Sequence, residues 1–127
     1  MVFTNVGRIV VLVDDQEAAL AFYRDVLGFE VAVDVTTDGH RSLHLTVPDG
    51  TGVWLMPAGT DEEYSHVGRQ TAGKPLFVLY TDDLDVVMDR LRQRAVEVWN
   101  VRDDPDARSL HLRDHLGNVI IAAELRT

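Results

Sequence analysis

Two histidines occupy the same place in a repeated five-residue word, and imidazole chemistry is the first possibility that the sequence raises. Arg41-Ser42-Leu43-His44-Leu45 recurs 67 residues later as Arg108-Ser109-Leu110-His111-Leu112. Leucine alternates with Ser and His in each word, so we expect the leucines to face covering helices and the histidine to lie on the open face. An imidazole there could hydrogen-bond a ligand or act as acid and base, or it could be a partly exposed histidine without a role. The remaining histidines fall in turn or loop sequence and are predicted to be solvated; they are His40, His66 and His115.

Two strand–helix units of similar sequence must position these histidines. Residues 9–31 predict a strand over Ile9–Val13, a helix over Asp15–Leu27 and the start of a second strand. Asp14 is the expected N-cap, with Glu17 three residues on as in a capping box. Gly28 is the expected left-handed residue after the helix.

Residues 76–98 repeat this unit. Asp82 is the expected N-cap, Asp85 follows three residues on, and the helix ends near Arg94-Ala95. If Ala95 adopts the left-handed conformation, it costs about 1 kcal/mol relative to glycine. We therefore predict two tandem copies of a strand–helix–three-strand module.

Three further strands complete each predicted module. Module one spans about residues 3–57 and module two about 75–127. The segment 58–74 lacks periodicity and holds three glycines, so it is predicted to be a linker or an ordered loop. The predicted strands lie near 6–13, 29–35, 41–47, 52–56, 76–81, 97–102, 108–113 and 118–125. Asp38-Gly39 and Asp49-Gly50 are hairpin turn signals.

Composition excludes several classes of function. The 127 residues are 46% hydrophobic, carry a net charge of −9 and contain no cysteine. The acidic charge would repel nucleic-acid phosphates and favour cationic partners, although solubility is its simpler role. No apolar run approaches the ~20 residues of a membrane span, and no N-terminal leader is visible. The absence of cysteine excludes disulfides and thiolate chemistry. We expect a cytoplasmic protein with no nucleic-acid or membrane partner.

Three segments together resemble the vicinal oxygen chelate superfamily, and the resemblance covers essentially the whole chain. The segments are IVVLVDDQEAALAFYRDVLGFEV, FVLYTDDLDVVMDRL and RDHLGNVIIAAEL. That family includes glyoxalase I, bleomycin-resistance proteins, fosfomycin-resistance enzymes and extradiol dioxygenases. The resemblance implies an α+β fold in which residues 1–127 form a single domain. Two tandem βαβββ modules would form a curled mixed sheet around a shared cavity, usually within a homodimer. Such motifs are specific for the fold and not for the function.

The resemblance also indicates where metal-using members place their ligands, on the first and last strand of each module. In this chain those four positions are Arg8, Trp54, Leu76 and Ile121. A guanidinium is always protonated, and the other three side chains carry no ligating atom. Glu124 alternates onto the other face of its strand. We therefore expect no metal and no cofactor.

The predicted ligand site is lined by Arg8, His44, Trp54 and His111, with Leu76 and Ile121 as apolar walls. Trp54 offers a stacking surface for a flat or cationic ligand, or it fills a cavity that binds nothing. Arg8 could clamp an anionic group, or it could pair with an acidic neighbour. Trp99 is assigned to the core or to a dimer contact.

Three functions remain open. The first is a metal-free protein that binds or sequesters a small organic molecule, aromatic or cationic, like the bleomycin-resistance branch. The second is a metal-dependent lyase, isomerase or dioxygenase of the glyoxalase type. The third is a metal-independent acid–base reaction, such as an epimerisation, by His44 or His111. We expect a homodimer, because each module leaves one face of its sheet partly uncovered.

Overall fold

The computed structural model describes residues 1–126 and divides into two compact units, the first over Met1–Val67 and the second beginning at Gly68. The first unit holds β1 (Arg8–Val13), α1 (Gln16–Leu20) with a π-helical continuation over Ala21–Val26, β2 (Glu30–Thr37), β3 (His40–Thr46), β4 (Gly52–Pro57) and α2 (Asp61–His66). Its sheet has the order β1-β4-β3-β2, in which β1 and β4 run parallel and the other pairs antiparallel.

The second unit repeats this arrangement. It holds β5 (Pro75–Tyr80), α3 (Leu84–Gln93), β6 (Val98–Asp103), β7 (Ala107–Arg113) and β8 (Val119–Leu125). Its sheet has the order β5-β8-β7-β6, again with the first and last strands of the module parallel. The predicted α+β class and the two tandem βαβββ modules are confirmed.

Each sheet buries one face, and the sequence alternation identifies that face correctly. In β3, Leu43 and Leu45 are fully buried, whereas His44 between them is half-buried. In β7, Leu110 and Leu112 are buried and His111 is half-buried. Burying a leucine side chain stabilises the fold by about 1.5–3 kcal/mol, so a slip of one residue, which exchanges the two faces, would be costly. The two histidines therefore lie on the face of each sheet opposite its buried leucines, which we call the open face.

Both main helices begin one residue later than expected. The Asp15 carboxylate, not that of Asp14, accepts hydrogen bonds from the backbone N–H groups of Glu17 and Ala18. In the second unit Asp83, not Asp82, caps α3 in the same way. In both units the first aspartate of the pair is passed over, so neither helix begins with the expected capping box.

The helix expected over residues 15–27 changes its winding after one α-helical turn. The backbone N–H of Leu27 donates to the carbonyl of Phe22 at 3.0 Å, a five-residue step that widens the turn. The consecutive rings of Phe22 and Tyr23 are both buried there, and their centroids lie 5.5 Å apart. The residues that follow the two helices behave as expected: Gly28 has a φ of 82° and Ala95 a φ of 56°.

The segment expected to be a loop contains a helix. Within residues 58–74, α2 spans Asp61–His66, and the Thr60 hydroxyl oxygen accepts from the Glu63 backbone N–H at 3.1 Å. A six-residue helix shows too little periodicity for sequence patterns to reveal it. Among residues 1–126, no helix is long and apolar enough to cross a membrane.

Candidate functional site

Side chains from three strands of the first unit meet at His44, which contacts both Arg8 and Trp54 on the open face. Trp54 of β4 lies in register with His44 of β3, and their rings stack with centroids 4.7 Å apart and planes inclined by 24°. Arg8 of β1 donates from Nε to His44 Nδ1 at 3.2 Å. The arrangement is an indole–imidazole stack with a guanidinium hydrogen-bonded to the imidazole.

Hydrogen bonds to neutral groups hold the Arg8 side chain in place. Gly52 is the β4 partner of Arg8 in the parallel register. Gly52 also packs tightly against β3, since a Cβ there would lie 1.9 Å from the Leu45 carbonyl oxygen. At the far end of the arginine, Nη1 donates to the carbonyls of Gly7 at 2.8 Å and Gly50 at 2.9 Å. Backbone carbonyls and an imidazole therefore hold the guanidinium in one place.

The same contacts set the protonation state of His44. Burial lowers the pKa of the imidazole, and the positive charge of Arg8 lowers it further. His44 is therefore neutral near pH 7. Because Arg8 Nε can only donate, His44 Nδ1 accepts and the proton of the neutral ring sits on Nε2. His44 thus presents a hydrogen-bond donor to any ligand beside it.

Aliphatic side chains extend this surface on both sides. Val10 of β1 is the register partner of Trp54, and Val33 of β2 is that of His44. Val10, on the edge strand β1, remains 39% exposed. The open face therefore combines apolar contact area with a few fixed polar groups, as small-molecule sites do.

A second aromatic–imidazole pair lies in the second unit, and sequence interpretation missed it. Trp99 of β6 lies in register with His111 of β7, with ring centroids 5.4 Å apart and planes at 47°. Arg113 places its guanidinium carbon 4.6 Å from the centre of the Trp99 ring, and its Nε donates to Glu97 at 2.9 Å. Trp99 is half-buried and so does not belong to the fully buried core, while its alternative role as a dimer contact stays a prediction.

A displaced β-bulge determines which β6 residue lies opposite His111. In the first unit the extra residue between the pairs of β2 and β3 is Ala32, which brings Val33 opposite His44. In the second unit the irregularity falls between Trp99 and Arg102, and Asn100 within it has a φ of 51°. Counting hairpin pairs back from the turn between β6 and β7 places Asn100 opposite His111, and only the extra residue of the bulge brings Trp99 there.

The predicted site residues fall into separate groups. In the first unit His44 contacts both Arg8 and Trp54. In the second unit His111 is the register partner of Ile121, the same relation that His44 has to Trp54. Leu76 joins neither pair, because it is the unpaired residue between the β5 positions that bond to Val119 and Ile120.

The sequence as a whole matches one family model. Residues 5–121 match the model of the Glyoxalase/Bleomycin resistance protein/Dioxygenase superfamily. The chain belongs to this superfamily. No curated protein sequence matches it.

Solved structures of superfamily proteins resemble the chain over almost their whole length. UcmS2 is 27% identical with a TM-score of 0.81, and the match covers 95% of this chain and 98% of that one. TnmS3 from Streptomyces sp. CB03234, described as an antibiotic binding protein, is 28% identical with a TM-score of 0.75 and 99% coverage of both chains. A glyoxalase/bleomycin resistance protein from the same organism is 28% identical with a TM-score of 0.71, covering 93% of this chain and 98% of that one.

The four positions that the resemblance indicates for metal ligands carry side chains that do not fit a metal. Arg8, Trp54, Leu76 and Ile121 offer no lone pair suited to a divalent cation. Within residues 1–126, no three His, Asp or Glu side chains stand close enough together to hold one. Glu124 lies on the opposite face of β8 as expected, where it accepts from the backbone N–H of Leu84 at 2.8 Å.

Proposed function

We propose that this protein binds and sequesters a small planar organic molecule, without a metal, against Arg8, His44 and Trp54. The observation that carries the proposal is that His44 contacts both Arg8 and Trp54 on one open face. The indole–imidazole stack supplies aromatic contact area, and the His44 Nε2–H and the guanidinium supply hydrogen-bond donors beside it. This combination suits a planar ligand that carries a hydrogen-bond acceptor.

The superfamily relatives support a binding role. TnmS3 is described as an antibiotic binding protein, and it matches this chain from end to end. The superfamily description itself names bleomycin resistance proteins. We therefore place an antibiotic or a related aromatic metabolite first among the candidate ligands.

Enzymatic alternatives find less support in the same residues. A glyoxalase-type reaction would require metal ligands at positions occupied by Arg8, Trp54, Leu76 and Ile121. Acid–base catalysis by His44 would require a free imidazole nitrogen to take up a proton. Nδ1 already accepts from Arg8, and Nε2 already carries the ring proton. His44 is thus arranged to donate a hydrogen bond and not to act as a base.

Several expectations from the sequence, about the second unit, the location and the oligomeric state, remain proposals. We retain His111, Leu76 and Ile121 as proposed ligand contacts of the second unit. Cytoplasmic location and a homodimeric state also remain predictions. The proposed binding of a ligand at Arg8, His44 and Trp54 depends on none of these expectations.

A thermal-shift screen of cationic antibiotics and aromatic metabolites tests the proposed function. A true ligand at a hundredfold excess over its dissociation constant should stabilise the folded protein by about 2.7 kcal/mol. Trp54→Leu should weaken its binding by about 1–3 kcal/mol through lost stacking and apolar burial.

The two tryptophans of the chain provide a matched pair of reporters. Trp99→Phe leaves Trp54 as the sole indole, and its emission should change on ligand addition while the affinity stays close to that of the wild type. Trp54→Leu leaves Trp99 alone, and that emission should stay constant at the same ligand concentration. A ligand bound equally well by the wild type and Trp54→Leu would show that the proposed site is wrong.

A further inference from the structure

Arg8 differs from every other cationic side chain in the part of the chain that the structure describes. The other half-buried arginines each pair with a carboxylate: Arg41 with Asp34 at 2.8 Å, Arg108 with Asp85 at 2.8 Å and Arg113 with Glu97 at 2.9 Å. The remaining lysine and arginines are exposed to solvent. Among residues 1–126, Arg8 alone is half-buried and has no carboxylate partner.

The hydrogen bonds of Arg8 leave one end of its guanidinium unused. A guanidinium has five N–H donors. Nε uses its hydrogen on His44, and Nη1 uses both of its hydrogens on the carbonyls of Gly7 and Gly50. No side chain or carbonyl within residues 1–126 accepts from Nη2. Two N–H groups of a fixed cation are therefore left for a ligand oxygen.

The groups that hold Arg8 are all neutral, so its charge remains uncompensated. Partial burial of an unpaired charge costs free energy, and the chain has 21 acidic residues from which a partner could come. The net charge of −9 acts on an approaching ligand from a distance, but salt near 0.1 M screens exposed charges beyond about 10 Å. For a ligand within hydrogen-bond distance of Arg8, the positive charge of the guanidinium therefore favours an anionic group over a cationic one.

We propose that the ligand of this site is a planar aromatic carboxylate, with its ring on Trp54 and a carboxylate oxygen accepting from Arg8 Nη2. The inference rests on the proposed function and sharpens it, since it replaces the cationic ligand that the overall charge favours with an anionic one. A carboxylate hydrogen-bonded to a guanidinium forms the stronger, charge-assisted type of hydrogen bond. The His44 Nε2–H donates to the same group or to a neighbouring acceptor on the ring.

Three naphthalene probes of nearly equal shape isolate the charge. Isothermal titration of the wild-type protein at pH 7.5 compares 2-naphthoate, 2-naphthamide and 2-naphthylmethylammonium. We expect 2-naphthoate to bind at least tenfold more tightly than the amide, with the ammonium probe weakest. The advantage of the anion should shrink as salt is raised, because ions screen the guanidinium. Equal affinities for the three probes, or tightest binding of the cation, would overturn the inference.

Variants at Arg8 separate charge from shape. Arg8→Gln should lower the affinity for 2-naphthoate at least tenfold and that for 2-naphthamide less than threefold. Arg8→Lys keeps the positive charge but loses the planar set of guanidinium N–H donors, so it should retain part of the preference for the anion. Arg92→Gln removes an equal charge from the exposed face of α3 and should leave all three affinities unchanged.

The outcomes distinguish this inference from the proposed function. If Trp54→Leu weakens all three probes equally and Arg8→Gln has no selective effect, the site stands and the anionic class is wrong. If no probe binds the wild type, or if Trp54→Leu binds them all as the wild type does, both proposals fall. A loss of the anion preference in Arg92→Gln as large as in Arg8→Gln would show that net charge, and not Arg8, sets the preference.

Discussion

Replacing Gly52 with alanine should damage the sheet at the point where the candidate site is built. A Cβ at this position would lie 1.9 Å from the Leu45 carbonyl oxygen and 2.7 Å from the Thr46 Cα. Both are backbone atoms, so no side-chain rotation can relieve the contact and β3 must move away from β4. The register between these strands consists of three pairs, including His44 with Trp54, and all lie within three residues of the clash.

The expected cost follows from two contributions. Overpacking against rigid neighbours costs about 1–3 kcal/mol, and each weakened ladder hydrogen bond adds about 0.5–1.5 kcal/mol. We therefore expect Gly52→Ala to lower the free energy of unfolding by about 3 kcal/mol. For a chain of this size that corresponds to a fall in Tm of roughly 12 °C, at about 4 °C per kcal/mol. The stack of His44 on Trp54 should loosen with it.

Urea unfolding followed by tryptophan fluorescence measures this change. Gly7→Ala is the matched control, because a Cβ at Gly7 meets nothing within 4 Å and needs no unusual backbone angle. We expect that control to stay within about 0.5 kcal/mol of the wild type, as surface substitutions usually do. A Gly52→Ala protein as stable as the Gly7→Ala control, with unchanged Trp54 emission, would refute the close approach of β4 to β3 from which the site geometry is derived.

Four further predictions follow from single features of the chain. Ala95→Gly should raise the free energy of unfolding by about 0.5–1 kcal/mol in a urea titration, because Ala95 has a φ of 56°; a loss of stability would contradict this. Burial, and then the charge of Arg8, hold the pKa of His44 below its ordinary value, so its contribution to stability is complete above about pH 6.5 and is lost as the pH falls through the lower folded-state pKa. The loss of stability between pH 7 and pH 5 should therefore be smaller in His44→Asn than in the wild type, and an equal loss would exclude His44 as its source. Sedimentation equilibrium at micromolar concentration should show a homodimer, and a stable monomer would contradict that expectation. Titration with zinc, nickel, manganese and iron should give no stoichiometric binding that survives dialysis; tight binding abolished by substitutions on the open faces would show that a metal site exists.

Most of the fold could be predicted because its signals are local. Strands such as β3 and β7 carry strict alternation between buried leucines and polar residues, and each is bounded by a turn. The turn between β2 and β3 shows how strong such signals are. Asp38 and Gly39 both adopt positive φ, at 51° and 80°, as a two-residue hairpin of this kind requires. Because the sequence repeats, each element predicted in one module also predicts the matching element in the other.

The details that the sequence did not predict depend on tertiary contacts. α1 and α3 are each preceded by two aspartates that could cap them equally well, and the chain can enter a helix only after the preceding strand has made its last hydrogen bond. The carbonyl of Val13 still accepts from Ala58 at 2.8 Å, and the N–H of Thr81 still donates to Ala123 at 2.9 Å. These sheet contacts persist to the strand ends and leave the second aspartate, Asp15 or Asp83, as the first residue free to cap.

In the candidate site too, the features set by local sequence could be predicted and those set by tertiary contacts could not. Placing His44 and His111 on the open faces needed only strand alternation. Placing Trp99 beside His111 needed the position of a bulge, and a bulge moves by one residue without any change in hydrophobic pattern. The pairing of Arg8 with His44 spans 36 residues and crosses an intervening strand, so no local pattern encodes it.

The two modules fix the same imidazole tautomer with different donors, and that difference separates their chemistry. His44 Nδ1 faces Arg8 Nε at 3.2 Å, and His111 Nδ1 faces Asn100 Nδ2 at 3.4 Å. Both neighbours can only donate, so each neutral ring keeps its proton on Nε2 and presents the same donor. The charges beside them are not equivalent, because Arg113 is paired with Glu97 and stacked on Trp99, whereas Arg8 has only neutral partners. Both modules thus present a histidine hydrogen-bond donor, but only the first module places an uncompensated cation beside it. An anionic ligand should therefore prefer the first module.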